Sequence, residues 1–322
     1  MFVAEKNTIR AGGQAVIEGV MMRCGSRIAT AVRRKNGDIT TKVEDKVPWS
    51  KRNSFFRLPI IRGTLNLIEM LSVGISTLNW SADIAIQDEL AETGDAPQKK
   101  QKTWPAMVLG MLIGVGLFVL LPLLIAKLVG LEKDAFWFNL AAGGVRIVIF
   151  MAYLIGISFL SDVKRLFQYH GAEHKSIFAF ENGDELTIEN AQRYKTFHPR
   201  CGTSFLLIVA VVSIIFFAVA DSIIAAIIGF VPQVFVRFGM HLLLWPLLAG
   251  VCYEVLKGSA WLSEKFSWAK IFTWPGLAMQ RISTSEPSDD MVEVALVALK
   301  KAVGCEGIKV NDLNDEVNNV SG

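Results

Sequence analysis

A mainly α, multi-pass helical membrane protein, with about four transmembrane helices and a small β-rich N-terminal cytoplasmic module, is the fold class that this sequence predicts. Hydrophobic residues make up 52% of the 322 residues and charged residues 20%, which is typical of a membrane protein with large aqueous parts. The chain contains four long apolar runs, and lysine and arginine are distributed unevenly among the segments that flank these runs.

The four apolar runs occupy residues 105–126, 136–160, 202–230 and 238–256. About 20 apolar residues in a helix cross the hydrocarbon core of a bilayer, so a four-helix transmembrane domain is expected over 105–256. Residues 58–86 are apolar but broken by three charged side chains. They predict an amphipathic helix that lies on the membrane or packs beside the bundle, and residues 87–104 predict a flexible linker.

Lysine and arginine set the expected orientation. Sixteen lie in the first 104 residues, six in 161–201 and seven after residue 256, against three in the two connections on the opposite side. By the positive-inside rule, both termini and the histidine-rich segment 161–202 are expected in the cytoplasm. The same distribution accounts for the net charge of +3, so the lipid bilayer is an expected partner and nucleic acid is not.

Residues 1–57 predict the β-rich module, because two β-prone stretches flank Asn36-Gly37, a strong hairpin signal. Two interpretations of Glu18 and Arg23 remain open. They contribute to the histidine site if the module folds over it, or they form a solvated turn, and the turn is favoured. Residues 257–322 predict a cytoplasmic tail with a helix capped near Asp290 and ending before Gly304, which should dock on the cytoplasmic part.

Polar chemistry is concentrated in residues 169–204, which hold three of the four histidines. His170, Glu173 and His174 form an H-x-x-E-H pattern that, on a helix, places both imidazoles on one face. Two imidazoles at this spacing can share a divalent metal, most often zinc, while the glutamate acts as a base. His198 or Cys201, about 25 residues downstream, supplies the third ligand.

Two other interpretations stand beside a metal site. A membrane-surface helix can carry histidine and glutamate simply as a solvated face. Alternatively, Cys201 is the functional centre, because it precedes an apolar helix whose N-terminus, together with Arg200, would favour the thiolate, and His198 is near. The same residues are also consistent with a helix cap beside an inert cysteine.

Two ionisable residues lie within the predicted spans. Arg146 and Asp221 each lie about eight residues from the outer end of their helix, which places both roughly 12 Å below the surface. We predict that they meet as a structural ion pair, which is favoured over an ion or proton path.

The runs GGQAVIEGVMMR (12–23), YHGAEHK (169–175) and FHPRCGTSF (197–205) resemble the YqhQ-like family of bacterial membrane proteins. The resemblance covers the chain from about residue 12 to 283. This family is catalogued as a domain of unknown function and is often labelled a predicted metal-dependent enzyme. The resemblance implies a multi-pass protein of the bacterial plasma membrane and a metal-dependent activity carried by His170, Glu173, His174, His198 and Cys201.

The leading hypothesis is a membrane-embedded zinc-dependent hydrolase acting on a peptide, a protein or a lipid-linked group, with Glu173 as general base. The second hypothesis is a non-catalytic scaffold or regulator with a structural metal, and the third is a thiol-dependent transferase that uses Cys201. The number of protein ligands on the metal distinguishes the hydrolase from the scaffold. A structural zinc has four protein ligands, whereas a catalytic zinc has three and one open position.

Overall fold

The computed structural model describes residues 11–93, 104–131, 134–199, 201–266 and 274–304. Within these ranges the chain is mainly helical, with a small antiparallel sheet near its N-terminus. Residues 94–103 of the predicted linker, Arg200 and residues 305–322 of the predicted tail lie outside the described residues.

The sheet is an up-and-down meander whose strands follow chain order. Its strands are β1 (Ala11–Val16), β2 (Gly19–Cys24), β3 (Arg27–Arg33) and β4 (Ile39–Asp45). The predicted hairpin is confirmed, because Asn36-Gly37 lies in the turn between β3 and β4 and Gly37 has a φ of +92°. A positive φ at this position suits glycine, which has no Cβ to clash.

The helices are α1 (Ile61–Thr93), α2 (Trp104–Val115), α3 (Leu121–Leu128), α4 (Ala135–Ser158), α5 (Ser161–Glu181), α6 (Ile188–Gln192), α7 (Gly202–Ile228), α8 (Val234–Lys265), α9 (Trp274–Ser283) and α10 (Asp289–Val303). A π-helical segment, Gly116–Leu120, joins α2 to α3. The helix expected at 58–86 is present as α1, but α1 continues to Thr93 and so takes up the start of the expected linker.

Both faces of the sheet are buried, because helices cover each of them. On one face Met21, Ile28 and Val32 pack against Val73 and Ile84 of α1. The opposite face packs against α5 and α10 through the alternate strand residues, which are Val20, Met22, Ala29 and Ala31. Side chains alternate between the two faces of a strand, so the sheet, α1, α5 and α10 form one three-layer unit.

The C-terminal helix docks on this unit as predicted. The N-cap of α10 is Ser288 and not Asp290 as predicted, and Asp289 and Asp290 lie in the first turn, where carboxylates interact favourably with the helix dipole. Gly304 ends the helix in the left-handed conformation, with a φ of +85°. The buried face of α10 belongs to the same hydrophobic core as Tyr169 and Phe180 of α5.

Among the described residues, four helices are long and apolar enough to cross a membrane, in agreement with the four predicted runs. They cover Val108–Leu128, Ala135–Ser158, Leu206–Ile228 and Val234–Ser259. The second and third pack closely, because Gly143 of α4 lies directly against Ile214 of α7. The segment between these two spans, 161–202, contains α5 and α6.

The predicted pairing of Arg146 with Asp221 is wrong. Arg146 donates to the Phe118 carbonyl at 2.8 Å, within the π-helical segment, and to Ser213 Oγ at 3.0 Å. Asp221 lies eight residues further along α7, about 12 Å by helical rise. It accepts from Asn139 at 2.9 Å and contacts His241 at 3.1 Å. The spans begin and end at slightly different residues from the predicted ones. Arg146 and Asp221 therefore lie at different depths, and each contacts other residues.

We expect Gly143→Ala to lower the free energy of unfolding by about 1–3 kcal/mol, because overpacking a close helix contact has a cost of that size. An ideal Cβ at Gly143 would lie 2.2 Å from Ile214 Cγ1. The measurement is thermal unfolding of the purified protein in detergent. Gly144→Ala is the matched control, since a Cβ there meets no atom within 4 Å. Equal unfolding temperatures for the two variants would contradict the close contact.

Candidate metal centre

The H-x-x-E-H pattern lies on α5, as the sequence predicts. The spacing of four residues places His170 and His174 on the same face of the helix, with their ring centroids 4.4 Å apart. His174 is buried and His170 is 12% exposed at its side chain. The two imidazoles therefore point together into the interior of the protein, which excludes the interpretation of a solvated surface face.

Two backbone carbonyls determine which nitrogen each histidine presents. The Nδ1–H of His170 donates to the Ser283 carbonyl at 2.8 Å, and the Nδ1–H of His174 donates to the Thr196 carbonyl. A neutral imidazole that donates through Nδ1 keeps an unprotonated Nε2. Histidines that bind a metal commonly have this arrangement, in which the ring nitrogen that does not bind the metal donates a hydrogen bond to a carbonyl.

Cys201 completes a compact group with the two histidines. Its Sγ lies 3.2 Å from His170 Nε2, where the thiol S–H donates to the imidazole. One ligand atom from each of His170, His174 and Cys201 lies within 4.8 Å of the others. Cys201 immediately precedes α7, which begins at Gly202, as predicted for a cysteine at a helix N-terminus.

The donor set suits zinc. The Nε2 of His174 is buried and has no hydrogen-bond partner among the described residues, although an unpaired buried nitrogen is unfavourable. A metal ion in the group would take this nitrogen as a ligand. Two imidazoles and one thiolate are ligands that zinc accepts, and three protein ligands leave one position open.

Glu173 lies beside this group but outside it. Its Oε2 is 3.9 Å from His170 Nε2, and its side chain is buried under β1, where the backbone of Gly13 hydrogen bonds to the carboxylate. Burial raises the pKa of Glu173, while the nearby histidines and the Gly13 hydrogen bond act in the opposite direction. Burial also lowers the pKa of His174. Both shifts favour the neutral form of each group.

His198 lies outside the compact group of His170, His174 and Cys201, and its role as a metal ligand stays a prediction. Its Nε2 lies 3.5 Å from Glu181 Oε2, and its ring packs 4.6 Å from that of Phe178. The ring centroids of His174 and His198 are 5.6 Å apart, so His198 is a neighbour of the site. Burial lowers the pKa of His198.

Gln280 of α9 holds the backbone at His198. Its side-chain oxygen accepts from the His198 N–H at 2.8 Å, and its side-chain nitrogen donates to the His198 carbonyl at 2.9 Å. Gln280 is fully buried. This pair of hydrogen bonds fixes the turn that carries both the Thr196 carbonyl and Cys201.

Gly171 allows the segment after α9 to lie directly on α5. An ideal Cβ at Gly171 would be 2.1 Å from the Ser285 carbonyl oxygen, so any side chain would push this segment away. The Ser285 N–H donates to the Phe167 carbonyl at 3.0 Å. The close approach brings the Ser283 carbonyl within reach of His170.

The β module folds over α5, but Glu18 and Arg23 do not enter the site. Glu18 pairs with Arg165 of α5, with 2.5 Å between Oε2 and Nη2. Arg23 pairs with Glu69 of α1 at 2.7 Å. These ion pairs join the sheet to its two flanking layers. The predicted turn is correct for Glu18, which lies between β1 and β2 with its side chain 31% exposed, and wrong for Arg23, which lies within β2.

We expect Gln280→Ala to lower the free energy of unfolding by about 1–3 kcal/mol, because the buried His198 N–H loses its Gln280 acceptor. The His198 carbonyl loses its Gln280 donor but still accepts from the Cys201 N–H at 3.3 Å. The measurement is thermal unfolding in detergent. Gln168→Ala is the matched control, since Gln168 makes one hydrogen bond, at 3.4 Å and near the surface. A Gln280→Ala variant as stable as Gln168→Ala would disprove the proposed role of the amide.

Comparison with known proteins agrees with the resemblance noted in the sequence. The chain is 29% identical over 309 residues to the uncharacterized protein YqhQ of Bacillus subtilis (strain 168), and the match covers 92% of this chain and 93% of that protein. No solved structure matches the chain. The sequence model of the family described as "Protein of unknown function (DUF1385)" matches residues 58–305. The chain therefore belongs to the DUF1385 family.

Proposed function

We propose that this protein is a membrane-embedded, zinc-dependent hydrolase with its active site at the cytoplasmic membrane surface. The observation that carries the proposal is the group formed by His170, His174 and Cys201, whose ligand atoms lie within 4.8 Å of one another. Glu173 adjoins this group.

The proposed location follows from the spans and the charges. The described residues contain four apolar helices long enough to cross a membrane, and four spans would put the segments before the first and after the last on the same side. Lysine and arginine are concentrated in the termini and in the segment that contains α5. The positive-inside rule then assigns these parts to the cytoplasm, so the site faces the cytosol at the ends of α4 and α7.

The number of ligands favours catalysis over a structural role. A structural zinc site is closed by four protein ligands, whereas a catalytic site has three and keeps one position for water or substrate. The fourth ligand expected from the sequence, His198, is held toward Glu181. The described residues therefore offer a three-ligand site.

Zinc in this site would supply Lewis acidity and lower the pKa of a coordinated water. A residue of the chain would accept and release the proton. Glu173 is buried beside the ligand group, and burial raises the pKa of its carboxyl group, which brings a carboxylate closer to the range in which a general base both accepts and releases a proton near neutral pH. The hydrogen bonds from His170 and His174 to backbone carbonyls keep both rings in place during this transfer.

A thiol-dependent transferase is the second candidate, and one contact favours it. Cys201 Sγ lies 3.2 Å from His170 Nε2, a cysteine and histidine arrangement that can activate a thiol as a nucleophile. A scaffold or regulator with a closed structural site has less support, because His198 does not join the ligand group.

We expect the purified protein, prepared without a histidine tag, to contain near-stoichiometric zinc by elemental analysis. His170→Ala with His174→Ala should lose the metal, and Cys201→Ala should bind it at least about tenfold more weakly. His198→Ala and Glu173→Gln are the matched controls and should retain it, since neither side chain is in the ligand group. X-ray absorption should show nitrogen ligands at about 2.0–2.1 Å and one sulfur at about 2.3 Å.

Absence of zinc from the intact chain, even after zinc is supplied, would disprove the metal site. Loss of zinc from His198→Ala, together with a fourth protein ligand in the absorption spectrum, would instead indicate a structural site. In any screen for substrates, Glu173→Gln is the reference variant, because it should hold zinc and fail to turn over.

A separate prediction concerns the thiol. We expect zinc to protect Cys201 from alkylation by iodoacetamide, because a ligated thiolate is no longer a free nucleophile. Peptide mass spectrometry measures the rate of labelling at Cys201 with zinc and after chelation, with the fully buried Cys252 as an internal control that stays unlabelled. Equal rates in both conditions would favour the thiol-dependent transferase.

A further inference from the structure

An open cleft of about 410 Å³ lies beside the metal centre, at the end of α4 that the proposed orientation places in the cytoplasm. Its volume is within the range of small-molecule sites. Apolar side chains form one part of its lining, including Ile155, Phe159 and Phe167. Ile155 and Phe159 are 43% and 83% exposed to solvent. The cleft therefore opens where the last turn of a candidate span meets the membrane surface.

The polar part of the lining is positively charged. Lys164 of α5 and Arg281 of α9 both line the cleft and both are exposed. Among the described residues neither forms an ion pair, although most other basic side chains of α5 and the sheet do, such as Arg165 with Glu18. Two cations that face one cleft without a carboxylate partner favour an anion between them.

The wall of the cleft continues into the metal centre. Ser285 lines the cleft and bonds through its N–H to the Phe167 carbonyl. Two residues earlier, the Ser283 carbonyl accepts from His170. A ligand in the cleft would therefore lie against the same backbone segment that orients one of the proposed metal ligands.

We propose that this cleft binds the phosphate ester of an anionic lipid, with Lys164 and Arg281 on the phosphate and the apolar lining on the adjoining chain. Basic pockets beside membrane helices on the cytoplasmic side bind anionic headgroups in this way. The inference deepens the proposed function and rests on it for its biological role, since it makes a lipid-linked phosphate the class of substrate. Binding itself requires no metal.

The test is native mass spectrometry of the full chain in a non-ionic detergent, titrated with dioctanoyl phosphatidylglycerol, dioctanoyl phosphatidylcholine or sn-glycerol 3-phosphate. We expect the phosphatidylglycerol to bind more tightly than the phosphatidylcholine. Lys164→Gln with Arg281→Gln should weaken it about 30-fold, since two basic residues contact the anion. Lys195→Gln with Lys257→Gln is the matched control, because both lysines are exposed and lie outside the cleft.

Loss of phosphatidylglycerol binding only in the cleft variant supports the proposal. If sn-glycerol 3-phosphate binds as tightly and is lost in the same variant, the phosphate site is supported and its source is a soluble ester. Equal binding by the intact chain and the cleft variant would overturn it, as would equal affinity for phosphatidylcholine. Thermal unfolding verifies that both charge variants fold.

Removal of zinc from the intact chain by a chelator separates this inference from the metal site. The zinc-free chain should bind phosphatidylglycerol as tightly as before, because His170, His174 and Cys201 do not line the cleft. Lipid binding without any zinc in the intact protein would leave the cleft established and the hydrolase disproved. Zinc in the intact protein without selective lipid binding would support the metal site and disprove the proposal for the cleft.

Discussion

The orientation of the two histidines of α5 depends on hydrogen bonds to the backbone carbonyls of Thr196 and Ser283. Each bond fixes the orientation of one ring with Nδ1 toward the carbonyl, which directs its Nε2 toward Cys201. The carbonyls belong to the turn before α7 and to the end of α9, which are far apart in sequence. Both segments must therefore be packed on α5 before the ligand atoms can converge. Gly171 and Gln280 make this packing close enough.

The four candidate spans and the three-layer unit are joined through α4, α5 and α7, so the position of each depends on the other. Two residues separate the end of α4 from the start of α5, and Cys201 leads directly into α7. The close contact between Gly143 and Ile214 fixes the distance between α4 and α7, and so limits how far apart the histidines and the cysteine can lie. The sheet then covers Glu173 from the other side. Burial of this carboxyl group is thus a result of tertiary packing, since α5 alone would expose it.

Local periodicity was sufficient to predict the spans, the hairpin at Asn36-Gly37 and the convergence of His170 with His174, because each depends on neighbours within a few residues. Pairing between distant segments was not predictable in this way. Nothing near His198 indicates that Gln280 would hold its backbone and Glu181 would lie at its imidazole. Main-chain carbonyls carry no sequence signal at all. The pairing of Arg146 with Asp221 failed because a small error in helix boundaries moves a side chain by several ångströms in depth.

The electrostatics of the site connect its burial with its proposed chemistry. Burial raises the pKa of Glu173 and lowers the pKa of His174, so the interior favours a neutral acid beside a neutral base. A neutral imidazole is the form that binds a metal. A divalent cation would reverse the effect on Glu173, because a nearby positive charge stabilises the carboxylate. Metal binding would then release one proton from Glu173 and another from the Cys201 thiol, which binds a metal as the thiolate, and would become tighter as the pH rises. The buried glutamate would be converted into a base only when the metal is in place, which restricts proton transfer to the loaded site.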